Sequence, residues 1–386
     1  MDQGTNRILF SLLRSAIRGM PFEATEHGEI SPDKLGELLQ MSSRHDVDHL
    51  VALALKQSAL SSSVGDIADK TVFRAVYRYR QLKYEYDSVC AALEEAQIPF
   101  IPLKGSVLRA YYPEPWMRTS CDIDVLVHTC DLDAAINCLT EKFGYEQGER
   151  GTHDIALQSP SGVHVELHFD LVEEGRANNA IEVLSSVWDN VSLHEGYNYR
   201  YDMSDAFFYF YHIAHMAKHF ENGGCGIRPF IDLWILDHTV DGNKGERDAL
   251  LERGELLAFA NVSRALSEVW IGGGEADALT LKMQDFLLHG GAFGSSDNRV
   301  AIQQKKKGGR FGYLMSRIFV PTAKLKRYYP ILEKHPWLMP VMQVRRWFML
   351  LDPEVAKMAR SELTVNRSID STKSAEMNAF LTDIGL

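Results

Sequence analysis

The chain has 386 residues, 45% hydrophobic and 24% charged, which excludes a disordered polymer and leaves enough apolar material for two or three hydrophobic cores. A formal net charge of -11 excludes binding to nucleic acid through overall charge, so any anion the protein holds must be held locally. Five scattered cysteines, Cys90, Cys121, Cys130, Cys138 and Cys225, include no C-x-x-C pair, which argues against a disulfide framework or a cysteine-rich zinc site and points to a reducing, cytoplasmic setting.

The opening "MDQGTNRILFSLLRSAIRGM" is broken up by arginines and followed by no small-residue cleavage site, so it reads as an amphipathic helix rather than a signal peptide. No apolar run approaches the roughly 20 residues of a membrane span. Residues 1–97 read as a helical region. Within it, 69–97 places Val72, Ala75, Val76, Leu82, Tyr86, Val89 and Leu93 at intervals near three and four, which predicts one long helix ended by Pro99.

From 98 to 175 short β-like and helical runs alternate. "FIPL" predicts a strand, and Gly105 opens a short helix through Tyr112. "IDVLV" predicts another strand. "DLDAAINCLTEKFGY" predicts a helix with Asp131 as N-cap and Gly144 as C-cap. "HDIALQS" and "GVHVELHF" follow as strands joined by the turn Pro160, Ser161, Gly162. Helices return over 176–300 in "NNAIEVLSSVWDN", "DAFFYFYHIAHMAKHF", "PFIDLWILDHTV" and "RDALLERGELLAFANVSRALSEVW". The region 301–386 is helical and, over 303–346, rich in lysine and arginine with Glu333 almost its sole acid. The expected class is α+β: a small mixed sheet with helices, flanked by N- and C-terminal helical regions.

Asp122 and Asp124 flank Ile123 in an otherwise apolar strand, so both carboxylates point to one face while Ile123 and Val125 point to the core. Two close carboxylates repel unless a cation joins them or one takes a proton. A divalent metal answers this most simply, and oxygen ligands suit Mg²⁺ or Mn²⁺, which also bring phosphate into a site. In "GVHVELHF", His164, Glu166 and His168 share one face and Val163, Val165 and Leu167 the other. Glu166 would complete a carboxylate set able to hold two metals. Phosphate also needs positive groups and free N–H donors, and "LKGS" offers Lys104, then Gly105 and Ser106 at a helix start. Arg118 lies four residues before Asp122 and is a further phosphate candidate.

"LKGS" at 103–106, "DID" at 122–124 and "VEL" at 165–167 together resemble the DNA polymerase β-type nucleotidyltransferase superfamily. The run from Leu103 to Val127, with "VELHF" later, is similar more narrowly to a bacterial group known as the uncharacterised nucleotidyltransferase family. The resemblance covers about residues 100–171 and, less specifically, the helices that follow. It implies that Gly105 and Ser106 hold the triphosphate of a nucleoside triphosphate, that Asp122, Asp124 and Glu166 ligate Mg²⁺ or Mn²⁺, and that Glu166 helps deprotonate an attacking hydroxyl. The third acid is Glu where many superfamily members carry Asp, and Lys104 before the glycine is a feature of the narrower group. The implied reaction moves a nucleoside monophosphate to a small-molecule, protein or RNA acceptor. A non-catalytic, antitoxin-like nucleotide binder of the same fold is the alternative, and a metal-dependent phosphohydrolase a further rival that would want more His and Asp ligands.

His212, His215 and His219, with Lys218, lie roughly on one helix face. A zinc site there lacks a nearby fourth ligand. The helix reads either as packing on the α/β core and lending His215, Lys218 or His219 to the nucleotide or acceptor, like His168, or as ordinary core and surface. Arg228 and Asp232 sit where a loop leads into a helix, and Cys225 between glycines reads as structural. In the basic region Phe311, Tyr313, Tyr328, Tyr329, Trp337 and Trp347 offer stacking surfaces for bases, although Trp337 and Trp347 read as core. Nucleic acid is therefore not the favoured partner.

Overall fold

The computed structural model describes residues 3–23, 25, 30–172, 179–240, 242–322, 325, 326, 329 and 331–386. Lys324, Arg327 and Tyr328 of the basic region lie outside the described residues. The chain divides into two compact units, Met1–Ala217 with Gly226–Asp285, and Lys218–Cys225 with Phe286–Leu386.

The first unit opens with helices α1 (Gln3–Arg18), α2 (Pro32–Arg44), α3 (Asp48–Lys56) and α4 (Ser61–Glu95). Ser31 caps α2 by accepting from the Lys34 amide, satisfying one of the donors a helix start leaves open. Helix α4 runs for 35 residues and starts earlier than the periodicity from residue 69 indicates. Its Leu82, Val89, Cys90, Ala92 and Leu93 are buried in the core beneath the sheet.

Five strands form a mixed sheet in the order β1 (Phe100–Pro102), β2 (Asp122–Val127), β5 (His164–His168), β4 (Asp154–Gln158) and β3 (Glu146–Arg150). The central pair β2 and β5 is parallel and the other pairs are antiparallel. Ile123, Val125, Val127, Ile155, Leu157, Val163, Val165 and Leu167 are all buried on one face with α4 and with Ala135 and Ile136 of α6 (Leu132–Asn137). Burying each such side chain is worth roughly 1.5–3 kcal/mol, so this face fixes the register. Because side chains alternate, the other face must then carry Asp122 and Asp124 beside His164 and Glu166, their pairing partners. Ala156 and Asp154 continue that face opposite Glu166 and His168.

Several expectations are refined. Asp131 stands at the N-cap of α6 but makes no side-chain cap bond, because a short 3₁₀ turn over Thr129–Asp131 already starts the coil. Gly144 has φ +69° and ends the segment as its position indicates. Short helix α5 covers Gly105–Leu108 and passes into a 3₁₀ turn to Tyr111. Of the run 178–190, the described residues from 179 form α7 (Ala180–Ser185), followed by a 3₁₀ turn over Val187–Asn190. The run 247–270, which reads as one helix, divides into α10 (Lys244–Arg253) and α11 (Leu257–Ser267) at Gly254 and at Glu255, whose φ is +58°. A short hairpin, β6 (Val191–Leu193) with β7 (Tyr201–Met203), and the fully exposed edge strand β3 had no recognised sequence signal. Helices α8 (Asp205–Glu221) and α9 (Arg228–Thr239) fall where the pattern puts them.

The second unit has its own core of Val300, Ala301, Tyr313 and Ile369, tied by the Ser374 hydroxyl donating to the Ala301 carbonyl at 2.7 Å. Trp337 and Trp347, read as core, are instead 73% and 37% exposed. No helix among the described residues is long and apolar enough to cross a membrane.

Candidate active site

The loop between β1 and α5 is stitched to the strand that carries the aspartates. The Leu103 amide donates to the Asp124 carbonyl at 3.0 Å, and the Ser106 amide closes a turn on the Leu103 carbonyl at 3.2 Å. The turn forces Lys104 to φ +42°, a region that disfavours any residue with a side chain. A Cβ added to Gly105 would meet Ser120 Cβ at 3.3 Å and Arg118 Nη1 at 3.4 Å. The glycine therefore lets the loop approach residues 118–120, rather than leaving open space for a phosphate. Ser106 Oγ is buried with no hydrogen-bond partner among the described residues, an orphaned polar atom of the kind a ligand satisfies.

Asp124 is the centre of the polar face. Its side chain is 3% exposed, and Oδ1 accepts from Lys104 Nζ at 2.8 Å and pairs with His168 Nε2 at 2.9 Å. Glu166 Oε2 lies 3.4 Å from His168 Nε2 and 4.0 Å from Lys104 Nζ, while His164 Nε2 is 3.6 Å from Glu166 Oε1. One ligand atom each from Asp124, Glu166 and His168 falls within 4.8 Å of the others. Burial opposes a charged carboxylate at Asp124, but Lys104 and His168 outweigh it and hold this group well below the usual range. Burial likewise opposes charge on Lys104 and His168, and the carboxylates Asp124 and Glu166 overcome it, raising both above their ordinary values. Asp122 moves the other way, raised first by burial and then by Asp124. Two carboxylate oxygens suit a hard divalent cation and the imidazole adds a nitrogen donor, so these residues fit a metal.

A family model described as "Uncharacterised nucleotidyltransferase" matches residues 31–271, more than half of the chain. The chain belongs to the uncharacterised nucleotidyltransferase family. Neither the curated proteins nor the solved structures contain a match to it.

In this member of the family the structure brings together Lys104, Asp124, Glu166 and His168, all singled out in the sequence. Asp122 stands on the same face of β2, one pair nearer the strand start and opposite His164. Arg118 turns its Nε to Asp232, at 2.8 and 3.1 Å from the two carboxylate oxygens, and Nη1 to the Thr119 carbonyl. Tyr112 also donates to Asp232, at 2.7 Å. The sequence named Asp232 without this role; an acid inside the apolar run of α9 was the available signal. His212 is a buried residue whose Nε2 meets the Pro229 carbonyl at 3.0 Å, and burial lowers its pKa. Lys218 and His219 occupy the last turn of α8 and belong to the second unit. His153, not recognised in the sequence, places its ring 5.4 Å from that of His168.

Proposed function

We propose that the protein transfers a nucleoside monophosphate from a nucleoside triphosphate to an acceptor hydroxyl and releases pyrophosphate, with Mg²⁺ or Mn²⁺ held by Asp124, Glu166, His168 and Asp122. The observation that carries this reading is the convergence of the Asp124, Glu166 and His168 ligand atoms within 4.8 Å, in a family of nucleotidyltransferases. When bound, the divalent ion supplies positive charge to the triphosphate and to the charge that builds at the reacting phosphorus.

The two central carboxylates divide the work by exposure. Asp124 is enclosed and stays ionised as a fixed ligand. Glu166, with 25% of its side chain exposed, is open to an acceptor hydroxyl and takes its proton as the new oxygen–phosphorus bond forms and the bond to pyrophosphate breaks. Lys104 and the orphaned Ser106 hydroxyl serve the phosphates, on a loop that Gly105 lets pack closely. Arg118 supports that loop while anchored by Asp232.

The test is label transfer from each of four α-labelled nucleoside triphosphates, with Mg²⁺ or Mn²⁺, to metabolite, RNA and protein fractions. Wild type is expected to label one fraction, and Asp124→Asn to reduce this by about a hundredfold or more. Equal labelling by the variant would remove Asp124 from the mechanism. Release of phosphate without an acceptor would favour a hydrolase, and nucleotide binding without turnover a non-catalytic member.

A further inference from the structure

Lys104 is held in a backbone conformation that a side-chain-bearing residue keeps only when its surroundings over-determine it. Here φ is +42°. The turn is pinned on both sides, by the Leu103 amide on the Asp124 carbonyl at 3.0 Å and by the Leu108 amide on the Lys104 carbonyl at 2.9 Å. It delivers the ammonium to Asp124 Oδ1 at 2.8 Å and to within 4.0 Å of Glu166 Oε2. Those carboxylates are two of the three side chains whose ligand atoms converge. One internal cation thus lies on a carboxylate that a divalent ion would use.

A divalent ion bound to Asp124 at roughly 2.1 Å would stand within a few Å of this ammonium, and two positive charges so close repel. The lysine side chain is 24% exposed, so it has a way out. We propose that Lys104 is a resident counter-ion of the carboxylate cluster which a divalent metal must displace. The lysine sets a threshold on metal loading, and once displaced its ammonium is free to meet the triphosphate. This rests on the metal reading proposed above. Without metal, the lysine pairs with Asp124, and His168 Nε2 lies 2.9 Å from Asp124 Oδ1 and 3.4 Å from Glu166 Oε2.

The test is titration of Mn²⁺, followed by the free-ion electron paramagnetic resonance signal, into wild type, Lys104→Met, Lys104→Gly and Asp124→Asn. Glycine suits the positive φ, so the second lysine variant guards against misfolding of the first. Both lysine variants are expected to bind Mn²⁺ about tenfold more tightly than wild type, equivalent to about 1.4 kcal/mol. Lys104→Met is also expected to melt lower than wild type without metal and to gain more in Tm on saturation with Mn²⁺. Equal or weaker Mn²⁺ binding by the lysine variants, with wild type binding normally, overturns the role of Lys104 and leaves the metal site standing. No binding by wild type or either lysine variant overturns the metal reading and this inference together. Undiminished binding by Asp124→Asn does the same, because it places the metal elsewhere.

Discussion

Asp232 has no exposed surface, yet it accepts from both Arg118 and Tyr112. Burial, then the neighbouring Asp232 carboxylate, pushes the Tyr112 hydroxyl well above its usual pKa. An ion pair in such a place survives only with its hydrogen bonds complete, and removing one partner strands the other at a cost of about 3–5 kcal/mol. Asp232→Asn is therefore expected to lower the unfolding free energy by about 3 kcal/mol in urea denaturation. The double variant Asp232→Asn with Arg118→Met is expected to recover part of that loss, because it strands no charge. Losses that simply add would show that the two residues do not depend on each other. The contrast with Asp124 shows what a sequence reveals at this scale. Asp122, Asp124, Glu166 and His168 were legible because strand alternation makes a polar residue in an apolar run conspicuous. Lys104 and Ser106 were legible from the loop motif. The partner of Arg118 was not legible, since it lies 114 residues away and nothing near Arg118 names it.

At the scale of elements, the site depends on β2 and β5 lying parallel in a register that pairs Asp124 with Glu166. A slip of one residue would bury the acids and expose the valines, so the apolar face enforces the polar one. The division between α10 and α11 is set differently. A Cβ at Gly254 would lie 2.4 Å from Phe210 Cε2 and 2.6 Å from Phe210 Cζ, and Phe210 is fully buried. Gly254→Ala is thus expected to cost about 1–3 kcal/mol through overpacking, although alanine is the better helix former. Thermal denaturation checks this; an unchanged or raised Tm would mean that the Phe210 ring yields freely. The run 247–270 reads as continuous because its local pattern is helical; the break falls at Glu255, where φ is +58°. Strand β3 was missed because every residue in it is exposed, which removes the alternation that identifies a strand. The hairpin β6–β7 has only three residues per strand, too few for a pattern to emerge.

For the whole molecule, separate cores in the two units bear on how the chain unfolds. Trp270 is fully buried in the first unit and stacks on Phe10 at 4.5 Å, and Trp116, Trp188 and Trp234 belong to the same unit. Trp337 and Trp347 of the second unit are 73% and 37% exposed. Tryptophan fluorescence therefore follows mainly the first unit, whereas the far-ultraviolet helical signal follows both. Coincident transitions are the mark of two-state unfolding, and two cores with their own apolar contacts are expected to break that coincidence. Ile369, fully buried in the second core, supplies the means to separate the two. Ile369→Ala is expected to cost about 2–5 kcal/mol in that core, moving the urea midpoint of the helical signal down while the fluorescence midpoint stays near its wild-type position. If both midpoints move together, the units unfold as one cooperative body, and the stability of the site then depends on the core around Ile369 as much as on its own.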